Sequence, residues 1–157
     1  MSAEYQIPKR KVRATVCIPG EADRATWLYL GETAECHFGP ERPSDLLNGS
    51  SPFIPATDDD GTFTLLQRDA ISACTIAVEA EAGATPNAAG AESAISHTIR
   101  VRLSGGRELA GELTFVRPEG QQRLQDGLNG SEPFFAVWDG DHVHLINRRH
   151  VIWIAQD

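Results

Sequence analysis

Apolar and polar residues alternate along most of this chain, in short runs broken by Gly, Pro and Asp. Between Lys11 and Ile18, the residues Val12, Ala14, Val16 and Ile18 share one face while Arg13 and Thr15 fall on the other. A period of two marks a half-buried strand. The same reading predicts strands over 25–30, 52–56, 62–66 and 70–77, with turns at Pro19-Gly20 and Asp58-Asp59-Asp60-Gly61. Further along, Ile99, Val101 and Leu103 alternate with Arg100 and Arg102, and strands are predicted over 107–116, 134–138, 143–146 and 150–154. Gly111, inside one of these, predicts a bend or a bulge. The apolar stripe of a long amphipathic helix does not occur.

One stretch is written twice. Arg42–Phe53 reads RPSDLLNGSSPF and Arg123–Phe134 reads RLQDGLNGSEPF, with eight of the twelve positions identical. Recurrence at a spacing of about 80 residues predicts one fold unit present in two copies. Asp45 and Asp126 suit a helix N-cap, and Leu47 and Leu128 would plug the turn into a core. Asn48-Gly49 and Asn129-Gly130 would end it in the left-handed conformation, and Pro52 and Pro133 block any continuation. The expected structure is a capped helical turn that delivers the chain into the strand opened by Phe53 or Phe134. Nothing in such a turn requires Arg42 or Arg123. The repeated Arg, Asp and Asn are therefore also candidates to line a ligand site.

These signals divide the chain into a leader (1–10), a first barrel-like repeat (11–78), an Ala/Gly/Glu-rich linker (79–96) and a second repeat (97–157). The formal net charge of -8 is shared by both halves. Such acidity argues against wrapping nucleic acid through the general field, although local basic clusters remain candidates. Lys9, Arg10 and Lys11 form one such cluster, and Arg148 and Arg149 another; both are candidate RNA or partner contacts. No run approaches the ~18 apolar residues of a membrane span, and the N-terminus lacks the apolar segment of a secretory signal, so a cytoplasmic protein with no membrane partner is expected. Cys17, Cys36 and Cys74 have no CxxC spacing and no counterparts in the second repeat, as expected of small apolar residues.

The second repeat resembles the Sm-like proteins in two places. Val101-x-Leu103-x-Gly105-Gly106-Arg107, continuing to Gly111 and Leu113, is similar to their first motif, and Leu145 to Ile152 is similar to their second. The resemblance implies an all-β fold: two tandem copies of a small five-stranded SH3-like/Sm-like barrel, each with one short helical turn. Tandem-barrel proteins of this kind occur in bacteria without an assigned role. The chain departs from the family in its last turn, which reads Asn147-Arg148-Arg149 where an RNA-contacting Arg-Gly is common.

Catalytic chemistry is sparse. The sequence contains no nucleophile elbow, phosphate-binding Walker loop or zinc-protease helix. His142 and His144, two apart on a predicted strand, share a face and could hold a metal with His150, but an exposed strand face is the better reading of them. No enzyme, cofactor or metal is expected. The expected function is a non-catalytic protein-interaction or scaffold module, a pseudo-twofold pair of small barrels that self-associates or binds a protein partner. Trp27, Trp138, Trp153 and Phe134-Phe135 are its candidate anchors. The alternatives are RNA binding through an Sm-like assembly, and small-ligand or metal sensing through the histidine face.

Overall fold

The computed structural model describes residues 9–32, 39–81, 94–116, 123–130 and 132–157; of Lys9, Ala94, Val116 and Asp126 it describes the backbone alone. Among these residues the first half contributes strands β1 (Lys9–Cys17), β2 (Arg24–Gly31), β3 (Phe53–Asp58), β4 (Phe63–Gln67) and β5 (Ala73–Ala77). The second half contributes β6 (Ala94–Leu103), β7 (Glu108–Val116), β8 (Phe134–Asp139), β9 (His142–Asn147) and β10 (Val151–Gln156). Two five-residue helical turns, α1 (Pro43–Leu47) and α2 (Leu124–Leu128), fall inside the repeated stretch. The protein is all-β.

The alternating patterns place the strands well, with two differences. The stretch predicted as strand from residue 70 begins as a 3₁₀ turn over Arg68–Ala70, and its counterpart Arg148–His150 does the same. The ends of the predicted linker are also structured, since Val78–Glu81 forms a 3₁₀ turn and β6 already begins at Ala94. Residues 82–93, the leader before Lys9, and Cys36 lie outside the described residues.

All ten strands pair antiparallel in one open sheet, in the order β10-β6-β7-β8-β9-β5-β1-β2-β3-β4. The last five of these, β5-β1-β2-β3-β4, repeat the order of the first five, β10-β6-β7-β8-β9. Both sets run across the sheet in the same sense. The halves therefore meet head to tail, with β5 against β9 from Ala73↔Ile146 to Ala77↔His142. A twofold pair would have set like strands together, β5 beside β10 or β4 beside β9, so the expected pseudo-twofold arrangement is not the one that forms. β9 explains why. It is buried at five consecutive positions from Val143 to Asn147, so both of its faces need cover.

The two apolar cores are interlocked at this junction. The core of the first half, built on Val12, Val16, Leu28, Leu30 and Ile76, also contains Phe134, Val143 and Leu145 from the second half. In return Ala73 enters the other core, among Ile99, Val101, Leu103 and Val137. Each large apolar side chain so buried stabilises by about 1.5–3 kcal/mol, which makes the exchange a principal bond between the halves.

Two glycines show how closely the second half is packed. A Cβ on Gly111 would lie 2.4 Å from the carbonyl oxygen of Trp138. The β6–β7 register passes through Gly111 unshifted, so this glycine admits β8 rather than marking a bulge; the irregularity falls in β10, between Val151 and Trp153. On Gly127 a Cβ would stand 2.3 Å from the Phe115 ring. Glycine costs an exposed helix roughly 1 kcal/mol relative to alanine, and here that cost makes room for an aromatic ring.

Candidate functional site

The repeated stretch folds as a helical turn, but its residues take different roles from those its pattern predicts. Arg42, not Asp45, is the N-cap of α1. Asp45 lies at the third helical position and accepts the backbone N–H of Arg42 at 2.8 Å. Asn48 follows with φ −89° and ψ 3°, and neither it nor Gly49 has positive φ. The turn ends by tightening in the right-handed sense, with Asn48 N–H donating to Ser44 O at 2.9 Å and Gly49 N–H to Leu46 O at 3.3 Å. The Asn-Gly pair is thus not used for a left-handed stop.

Asn48 instead reaches across to the other repeat. The backbone N–H of Phe134 donates to its Oδ1 at 2.8 Å, and its Nδ2 donates to the Phe134 carbonyl at 3.3 Å. The side-chain amide behaves like one more peptide unit paired to the start of β8. The two copies of the motif are therefore in direct contact, which turn chemistry alone does not suggest. Beside them a groove of about 730 Å³ is lined by Arg42, Asn48, Glu81, Phe115, Trp138 and Arg148. Glu81 is almost fully buried and accepts from the Ser44 N–H at 2.6 Å and the Ser44 hydroxyl at 2.9 Å. Burial holds its carboxyl above the ordinary range, against the pull of these two hydrogen bonds.

In the second copy of the motif only the end reaches the junction, where Phe134 meets Asn48. Arg123, Asn129 and Gly130 are exposed, and Ser131 lies outside the described residues. The basic clusters are divided. Arg10 donates to the carbonyl of Glu41 at 2.7 Å, while Lys11 is exposed on β1. Arg148 packs its guanidinium 5.4 Å from the Phe135 ring and donates to the carbonyl of Glu132 at 2.5 Å. Arg149 stands 3.8 Å from Asp69, with most of its side chain in solvent.

The histidines are separated too. His142 is exposed, whereas His144 is buried between Thr75 Oγ1 at 2.7 Å and Asp139 Oδ2 at 3.2 Å. His150 Nε2 donates to the carbonyl of Asp69 at 2.7 Å. Each hydrogen bond of His144 and His150 takes up a ring nitrogen that a metal would need. Of the cysteines, Cys74 is buried and burial pushes its thiol up to about 12, the charge of Glu81 adding to the shift, while Cys17 is half-buried. Among the described residues no helix is long and apolar enough to cross a membrane.

The feature that stands apart is the pair of outer strands. Large exposed apolar side chains occur at Phe53, Phe63 and Leu65 on β3 and β4, and at Ile152 and Trp153 on β10. β4 and β10 are the two ends of the sheet. Of the expected anchors, Trp153 belongs to this set, Trp27 and Trp138 are half-buried, and Phe134 and Phe135 are core residues. No protein family, curated protein or solved structure matches the chain.

Proposed function

We propose that this chain is a non-catalytic protein-interaction module. It is built from two copies of one five-stranded unit of the SH3-like/Sm-like kind, and its open sheet edges take up β-structure from a protein partner. The repeated helical turn, the recurring strand order and the matching 3₁₀ turns before β5 and β10 support the duplication. One observation carries the functional reading: apolar side chains are concentrated on strands that, among the described residues, have an unpaired side. Phe63 is 62% exposed and Leu65 56% exposed on β4, with Ile152 62% exposed on β10. An unprotected apolar edge is a template for strand addition, and proteins that do not use such an edge blunt it with charge, proline or a cover.

The test is the size of the particle that carries the chain in a native extract, for the parent and for a variant with both edges charged (Leu65→Lys with Ile152→Lys). The parent is expected well above the 17.1 kDa of one chain, and the variant at that of one chain. If both emerge as solitary chains, the interaction reading fails.

A further inference from the structure

The junction inside the molecule shows what fits its ends. Phe134, Val143 and Leu145 enter the core of the first half and are 2%, 0% and 1% exposed. Their counterparts one repeat earlier are Phe53, Phe63 and Leu65, the same three side chains that stand in solvent on β3 and β4. Among the described residues of the second half, Phe115, Leu124, Leu128, Val151 and Ile154 are only partly buried against its core. The first half projects three apolar side chains without a core to enter, and the second has a core without them.

We propose that a second copy of this chain fills both vacancies. β10 of one copy pairs antiparallel with β4 of the next and repeats the β5–β9 junction. This inference rests on the interaction reading above and names its partner. Transferring the internal register by one repeat sets Trp153 opposite Leu66, Ile154 opposite Leu65, Ala155 opposite Thr64 and Gln156 opposite Phe63. Phe53, Phe63 and Leu65 then enter the neighbour's second core, and the exposed Asn129 of that neighbour meets the backbone of Phe53 as Asn48 meets that of Phe134.

Charge selects the same partner. Among the described residues two ion pairs cross between the halves, Asp23 with Arg107 and Asp69 with Arg149, the acid in the first half and the base in the second each time. A head-to-tail contact between copies again brings bases to acids. Because the contact joins unlike surfaces, it propagates until a ring closes or continues as a filament.

The test uses purified full-length chain with Cys17 and Cys36 replaced by serine; Cys74 stays, since it is buried and its thiol resists ionisation. Thr64→Cys protein is mixed with Ala155→Cys protein under mild oxidation, and each is also oxidised alone. The expected result is a covalent dimer from the mixture, little from either protein alone, and assembly about tenfold weaker when Asn129→Ala removes two hydrogen bonds. Efficient dimers from Thr64→Cys alone would show like edges meeting and overturn the head-to-tail contact. Assemblies that never crosslink would overturn the register. A purified chain that stays single while the extract particle is large would overturn the second copy as occupant and leave the interaction reading intact.

Discussion

Glu81 places a carboxylate where solvent does not reach, and the Ser44 N–H and hydroxyl are its compensation. Burial raises its pKa in the folded protein, and the nearby charge of Asp45 adds to the effect. A carboxyl whose pKa is higher folded than unfolded binds its proton more tightly in the native state. Its contribution is therefore most favourable at low pH, declines as pH rises from the unfolded to the folded pKa, and is constant above that. Glu81→Gln keeps an oxygen for the Ser44 N–H and gives the hydroxyl a donor, without the buried charge. The variant is expected to be more stable than the parent at about pH 7, with the difference closing toward about pH 4. Urea midpoints at the two pH values check this, and equal differences at both would show that the charge of Glu81 has no net cost. Glu81→Ala leaves the Ser44 N–H without its acceptor and is expected to lose about 1–3 kcal/mol.

The helical turns α1 and α2 lie at the same place in the repeated stretch and in opposite situations, so equivalent substitutions beside them separate local chemistry from contact between halves. If Asn48 and Asn129 acted only as turn residues, alanine would cost the same in both. Asn48 holds both polar groups of Phe134, whereas Asn129 is exposed. In single chains at dilution, Asn48→Ala is expected to lower stability by about 1–3 kcal/mol and Asn129→Ala by less than about 0.5 kcal/mol. Thermal or urea unfolding of the two variants side by side decides it, and equal losses would return the motif to simple turn chemistry. The same contrast marks how far the sequence is legible. Strands were readable because a period of two is a local property, visible at Val12, Ala14 and Val16 without knowledge of any neighbour. The helical turns were readable for the same reason. Which residue caps α1 was not, because Arg42 and Asp45 can each end a turn and the tertiary setting chooses. The reach of Asn48 to Phe134 was hidden as well, since 86 residues separate them.

At the scale of the whole molecule, the head-to-tail junction makes separate unfolding of the halves costly. The first core contains three buried side chains from the second half, and removing them would open that core to water. Two barrels on a linker would unfold as two units, each reported by its own tryptophan. The interlocked sheet predicts one transition. With Trp138→Phe and Trp153→Phe, the remaining Trp27 reports on β2 in the first half; with Trp27→Phe and Trp153→Phe, Trp138 reports on β8 in the second. In urea the two reporters are expected to give coincident curves, as two-state unfolding requires. Leu145→Ala then supplies the sharper test, because Leu145 belongs to the second half by sequence and to the first by packing. A cavity at a buried leucine costs about 2–5 kcal/mol. That loss should move the Trp27 curve as far as the Trp138 curve, although Leu145 lies more than a hundred residues from Trp27 in the chain. A Trp27 transition left in place by Leu145→Ala would mean that the first core closes without the second half. The internal junction would then lose its standing as the pattern for contacts between copies, since a contact that adds nothing within one chain gives no reason to expect its repetition in the next.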